Sequence, residues 1–229
     1  MDKTDKINRT NSTDRLDRLQ NAKWIFFDMG YTLVDEYGEH YRRAEIAIKR
    51  ASERGVRITL DEFMQRAYKY GAEGHSPIGR ACESIGEGYI PYTAEGERAY
   101  PAAAEVLSCL SKKYKLGIIA NQLPGAWERL RRFGLADNIS VIMASADCGM
   151  EKPAPEIFLA ALDAAGCTAN EAIMVGDRAD NDIKPAHNIG MMTVRIHQGF
   201  FADYTPLGDG YVADLELADV AELPGALGV

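Results

Sequence analysis

The chain has 229 residues, 46% of them apolar, which is enough to bury a core for one domain carrying a large insertion or for two small domains. Its formal charge of −8 excludes a general affinity for nucleic acid or for an anionic membrane, since either needs a basic face to neutralise phosphates. Cys82, Cys109, Cys148 and Cys167 are widely spaced with no CxxC pair, which speaks against a zinc site or a disulfide framework and for free thiols in a reducing cytoplasm.

In chain order, residues 1–22 are polar and mixed in charge, lack the apolar centre of a signal peptide, and read as a mobile tail, helical near "DRLDRLQ". A series of short apolar runs, often β-branched, begins at "WIFFD" (24–28). It continues with "KLGIIAN" (115–121), "ISVIMAS" (139–145), "AIMVGD" (172–177) and "MTVRI" (192–196). Runs of this kind suit strands buried on both faces, and none is long enough to span a bilayer. Between them lie helical stretches: "AAAEVLSCLSKKY", "GAWERLRRFG", "APEIFLAALDAAG" and "NDIKPAHNIG". Strands alternating with helices of this length imply a parallel sheet, with ligands at the carboxyl ends of the strands.

Residues 36–100 break the alternation with helical stretches such as "EHYRRAEIAIKRASERG" and "LDEFMQRAYKYGA" and no convincing buried strand. An insertion placed just after the first strand projects above the carboxyl edge and covers it. After Ile196, "GYVA" reads as a short edge strand and "ELADVAEL" as a last helix. The expected fold is α/β: a Rossmann-like parallel sheet with helices on both faces, formed by 23–35 and 101–229, plus an inserted all-helical cap over 36–100.

Reactive residues sit where these strands end. Asp28 closes the first, "ANQ" the second, "GMEKPAPEIF" supplies Lys152, and "VGDRADND" supplies Asp177 and Asp182. Taken singly, an Asp at a strand end is as readily a turn or helix cap, and a Lys before Pro as readily a solvated surface residue. The joint order of "FFDMGYTL", "LGIIAN", "EKPAPEIF" and "VGDRADNDIKPAHNIGM" resembles the haloacid dehalogenase-like hydrolase superfamily, in its helical-cap branch. That resemblance implies Mg²⁺-dependent hydrolysis of a small phosphorylated metabolite, with Asp28 as nucleophile forming an aspartyl-phosphate. It implies metal ligation by Asp28, the Gly30 carbonyl and Asp177, with Asp182 orienting a ligand or a bound water, and Lys152 neutralising phosphate charge. The chemistry agrees, because a carboxylate attacking a phosphoryl group is repelled by its oxygens unless a cation absorbs charge.

The pattern departs from the family at two places. The acid usually found two positions after the nucleophile is Gly30, and the Ser or Thr usual at the end of the second strand is Ala120. Losing a general acid/base costs about 10² to 10⁴ in rate, so slow turnover or an atypical proton route is expected. Substitutes for the hydroxyl are the Asn121 amide or the main-chain N–H groups of Asn121 and Gln122. Substitutes for the acid are Tyr31, Asp35, His40, His75 or metal-activated water, although packing, turn and solvation roles explain those side chains more simply. Arg42, Arg43, Arg80, Tyr89 and Tyr92 are candidate substrate contacts in the cap. A non-catalytic protein that retains a metal and phosphate pocket is the alternative reading. Nothing in the sequence decides between monomer and homodimer.

Overall fold

A computed structural model describes residues 15–205 and 213–229. Six strands form one sheet: β1 (Trp24–Phe27), β4 (Lys115–Ala120), β5 (Ile139–Ala144), β6 (Ala172–Gly176), β7 (Met192–Ile196) and β8 (Leu215–Leu217). Their order is β5-β4-β1-β6-β7-β8 and every pairing is parallel. β1 lies between β4 and β6, with Phe27 opposite Ile118 on one side and Val175 on the other. The chain order therefore reverses beside β1, and a crevice opens at its carboxyl tip.

All four residues of β1 are buried, and the two-residue period of the strand deals them to opposite faces. Ile25 and Phe27 join a cluster with Leu107 and Leu110 of α5 (Ala103–Leu110), Leu130 of α6 (Ala126–Arg132) and Leu223 of α10 (Leu223–Ala226). Trp24 and Phe26 join another with Ile157, Phe158 and Leu162 of α8 (Pro155–Ala165). In α8, Pro155 occupies the first turn, where a missing N–H costs nothing, and Gly166 ends the helix in the left-handed region at φ 63°. This is the α/β sheet clothed on both faces that the alternation of elements predicts.

Two expectations need correction, and a third lies largely outside the described residues. The tail is helical where "DRLDRLQ" suggests, over residues 15–20 (α1), but it packs earlier than its polarity suggests, with Leu19 and Ala22 buried in the core cluster, while residues 1–14 lie outside the described residues. "GYVA" falls largely on 206–212, also outside the described residues. The stretch read as a last helix instead starts as β8, which pairs with β7 through Val194 and Leu215, and turns helical only from Val220. "LEL" carries too few residues for its alternation to be distinguished from a helical period.

The insertion is built on α2 (Tyr37–Glu53), α3 (Leu60–Ala72) and α4 (Pro77–Glu83). Thr59 and Glu62 cap α3 reciprocally, each side chain bonded to the other's main-chain N–H. Ala44, Ala47 and Ala51 of α2 pack against Phe63, Met64 and Ala67 of α3 and Ile78 and Ala81 of α4 in a separate cluster. A two-stranded antiparallel ribbon of β2 (Val34–Asp35) and β3 (Arg98–Ala99) carries the chain up and back. Phe200 and Phe201, from the turn after β7, insert into the cluster of the insertion and tie it to the sheet.

Candidate active site

The Asp28 N–H donates to the Val175 carbonyl at 2.9 Å, which extends the β1–β6 ladder by one residue and leaves the Asp28 side chain at the strand tip. Asp177 stands one residue past the end of β6. Asp182 comes from a π-helical turn, Ala179–Ile183, that brings it back over β6. Gly176 makes this approach possible, since a Cβ there would collide with the Asp182 carboxylate. Lys152 reaches in from the segment before α8, and its Nζ lies 2.7 Å from Asp28 Oδ1 and 2.6 Å from Asp182 Oδ1. The other oxygen of Asp182 accepts the Arg178 N–H at 2.9 Å.

Oxygen atoms of Asp28, Asp177 and Asp182 all lie within 4.8 Å of one another. Lys152, Asp177 and Asp182 are buried. One ammonium thus pairs with two of three neighbouring carboxyl groups, and the imbalance shows in their proton affinities. Burial pushes the Asp28 carboxyl up to about 6, Lys152 opposes the rise and Asp182 adds to it. Asp177 is driven well above the carboxylate range, first by burial and then by the charges of Asp182 and Asp28. Burial disfavours the Lys152 charge, yet Asp182 and Asp28 hold its pKa above the ordinary lysine value.

Asn121 is spent differently from expectation. Its Nδ2 donates to the Lys152 carbonyl at 2.8 Å and its Oδ1 accepts the Lys152 N–H at 2.7 Å, so it clamps the lysine's main chain to the tip of β4. The Gln122 N–H donates to Ser145 Oγ at 3.0 Å and is therefore no free substitute for the hydroxyl absent at Ala120. Gln122 instead turns its side chain toward the insertion. Its Oε1 accepts from Arg129 Nη2 at 2.5 Å, and its Nε2 donates to Glu36 Oε1 at 3.4 Å.

A cavity of about 530 Å³ lies over this floor, lined from below by Asp28, Gly30, Asp177 and Lys152 and from above by Glu36, His40 and Tyr92. Phe200 and Phe201 close one side, and the Arg178 guanidinium lies 4.2 Å over the Phe201 ring. Of the proposed proton carriers, Tyr31 and His40 reach the cavity, their rings stacked 5.8 Å apart. Asp35 is occupied by Arg98 at 2.8 Å and by the Tyr37 N–H at 2.9 Å. Neither Asp35 nor His75 lines the cavity. The cap arginines are also engaged elsewhere: Arg42 with Glu39, Arg43 with the Ile90 carbonyl and Arg80 with Glu83. Tyr92 lines the cavity, and Tyr89 is 75% exposed.

Glu36, Arg178, Phe200 and Phe201 escaped sequence reasoning. The first had a signal in hindsight, an acid close after a strand that ends on the nucleophile; the phenylalanines had none beyond their hydrophobicity.

A capped parallel sheet with a buried cluster of acids and a lysine at its switch point defines an α/β enzyme core built around a carboxylate. The chain belongs to the haloacid dehalogenase-like hydrolases, whose family pattern matches residues 25–196. It is 32% identical over 231 residues to a glyceraldehyde 3-phosphate phosphatase of Pyrococcus furiosus, a match covering 89% of this chain and 95% of that one. A glyceraldehyde 3-phosphate phosphatase of Methanopyrus kandleri is 38% identical over 128 residues, 55% of each chain, so the chain spans about half the length of that relative. Among solved structures, a HAD phosphatase from Thermococcus onnurineus superposes with a TM-score of 0.63 at 25% identity, covering 90% of this chain and 98% of that one.

Proposed function

We propose that this hydrolase is a Mg²⁺-dependent phosphatase of a small phosphorylated metabolite, acting through an aspartyl-phosphate on Asp28. One observation carries the reading: Asp28 Oδ1 is held at 2.7 Å by a buried lysine, among two further acids close enough to share a cation. The donor set fits the ion. Hard carboxylate oxygens suit Mg²⁺, and three acids facing one lysine leave a net negative charge that burial makes costly without a cation. Asp28, Asp177 and the Gly30 carbonyl would hold it. Asp182, with both oxygens already engaged by Lys152 and the Arg178 N–H, serves better to fix Lys152 and to orient what the other two hold. When bound, the ion withdraws charge from the phosphoryl oxygens and lowers the repulsion that Asp28 meets.

The chain's own residues do the remainder. An Asp28 oxygen forms a bond to phosphorus as the ester oxygen departs with its electron pair and takes up a proton. Water then attacks phosphorus, gives up a proton, and restores the Asp28 carboxylate. Lys152 stabilises the phosphoryl charge throughout, from a position fixed by Asp182 and by the Asn121 clamp. A cavity of about 530 Å³ suits a small metabolite better than a polymer, and two relatives named for a triose phosphate support that class.

A second reading, a non-catalytic protein that binds metal and phosphate, draws on Gly30, on Ala120 and on the engaged Gln122 amide. Phosphate release from a panel of small phosphate esters in Mg²⁺, lost in Asp28→Asn, supports the phosphatase. Absence of release with retained binding of a phosphate analogue supports the binder.

A further inference from the structure

The missing acid at Gly30 leaves a space, and the structure fills it. A Cβ built on Gly30 would stand 2.5 Å from Glu36 Oε1, 2.8 Å from its Cδ and 3.0 Å from Oε2. The carboxylate of Glu36 therefore occupies the position from which a side chain at residue 30 would start toward the leaving group. Glu36 stands where β2 passes into α2, at the N-cap of that helix, yet its side chain makes no capping hydrogen bond. Helix capping, the ordinary reason for an acid at that position, does not explain it.

Its setting is built rather than incidental. The side chain is 13% exposed and lines the cavity beside Asp28 and Gly30. Arg129 takes the Gln122 oxygen, which leaves the Gln122 amide nitrogen to face Glu36 Oε1, while His40 Nε2 lies 3.7 Å from Oε2. Two neighbouring candidates are engaged otherwise, while the buried Tyr31 hydroxyl has no hydrogen-bond partner. Tyr92 Oη donates to Glu97 at 2.6 Å, and the His40 ring is packed between Tyr31 and Phe200.

We propose that Glu36, reaching from the base of the cap into the space above Gly30, is the general acid and base of the reaction. This rests on the aspartyl-phosphate reading above. Protonated Glu36 gives its proton to the ester oxygen as the P–O bond breaks and the bond from Asp28 to phosphorus forms. The resulting carboxylate then takes a proton from the water whose oxygen attacks phosphorus, as the bond to Asp28 breaks. The proton lost in the first half is regained in the second, and no other reactant is needed.

The test uses the full-length protein with Mg²⁺, comparing a primary alkyl phosphate with 4-nitrophenyl phosphate. Glu36→Gln is expected to lower kcat for the alkyl ester by about 10² to 10⁴ with KM little changed. On the aryl ester, whose leaving group needs no proton, the variant should release a burst of about one nitrophenol per chain and then stall with phosphate trapped on Asp28. Gly30→Asp alone should impair the enzyme, because its side chain meets Glu36; Gly30→Asp combined with Glu36→Ala should recover turnover. Thermal melting shows whether each variant is folded.

Equal loss on both esters without a burst, or a double variant that stays inactive while folded, would reduce Glu36 to a positioning residue and overturn the proposal. So would a Glu36→Gln enzyme as fast as its parent. Asp28→Asn that keeps its activity defeats the aspartyl-phosphate reading and Glu36 with it, whereas an inert Asp28→Asn beside a normal Glu36→Gln defeats the Glu36 assignment alone.

Discussion

The floor of the cavity and its roof are held together by different means. Below, Asp28, Lys152, Asp177 and Asp182 form one buried charge cluster in which each group's position depends on another's. Above, the insertion meets the core mainly through aromatic rings and a short ribbon, with the buried Glu97–Arg129 pair at 3.3 Å beside them: Phe200 packs against Tyr31, Tyr37, His40 and Tyr68, and β2 pairs with β3 over only two residues. An electrostatic floor depends on its one cation, because removing Lys152 strands Asp28 and Asp182 in low dielectric. A roof held mainly by ring packing gives way more gradually, so on the proposed reading chemistry is fixed below while substrate choice can vary above.

The sharpest way to break this contrast is at Asp28, the proposed nucleophile. Asp28→Asn should lower kcat by roughly 10⁴ to 10⁶ while leaving the chain folded, as measured by phosphate release and circular dichroism. Residual turnover above that range would place the nucleophile elsewhere. Lys152→Met leaves Asp28 and Asp182 without their shared cation and should cost about 3 to 5 kcal/mol in denaturant unfolding, besides abolishing activity. A variant as stable as its parent would show that the cluster is not the interlocked unit described.

On the roof, Phe200→Ala should cost roughly 3 kcal/mol and speed proteolytic cleavage within 36–100 more than cleavage within the sheet. Equal acceleration in both regions would erase the distinction between them. A finer test uses pH and the metal-free chain. The raised Asp28 pKa means the folded state binds more protons than the unfolded one between the ordinary carboxylate value and about 6, so stability falls as pH rises through that window. Asp28→Asn stays neutral and should be more stable than its parent near neutral pH, by on the order of 1 to 3 kcal/mol, a gain that vanishes below about pH 4. A variant less stable than its parent near neutrality would mean that the ion pair to Lys152 outweighs burial. The smallest effect is expected at the ribbon, where Arg98 is largely exposed: Arg98→Ala should change stability by less than about 1 kcal/mol. A larger loss would make that ribbon a structural pillar of the cap.

The same contrast governs what the sequence discloses. The strands are legible as compact apolar runs, whereas Asp28, Lys152, Asp177 and Asp182 are legible only jointly, through an order that resembles a known family, since each alone reads as readily as a turn, a cap or a surface residue. The parallel sheet follows from the alternation alone. The roof is assembled from residues far apart in the chain whose individual signals are ordinary. Phe200 reads as any core phenylalanine until β7 is seen to end under the cap. Glu36 reads as one acid in "DEYGEH" until the fold lays its carboxylate over Gly30. Asn121 and Gln122 were legible as site residues, but their partners were not, since those are set by the tertiary approach of Ser145, Arg129 and the Lys152 main chain. No helix among the described residues is long and apolar enough to cross a membrane.

The pair of hydrogen bonds between Asn121 and the Lys152 backbone has a thermodynamic consequence. A lysine stem on the surface explores many rotamers, and freezing it costs up to about 2 kcal/mol of entropy. Here the stem is buried, its ammonium is anchored by two carboxylates, and its root is fastened to a strand, so that disorder is surrendered when the chain folds. On the proposed reading, an arriving phosphate meets an ammonium already at its post, and no part of the binding free energy is diverted to arranging it.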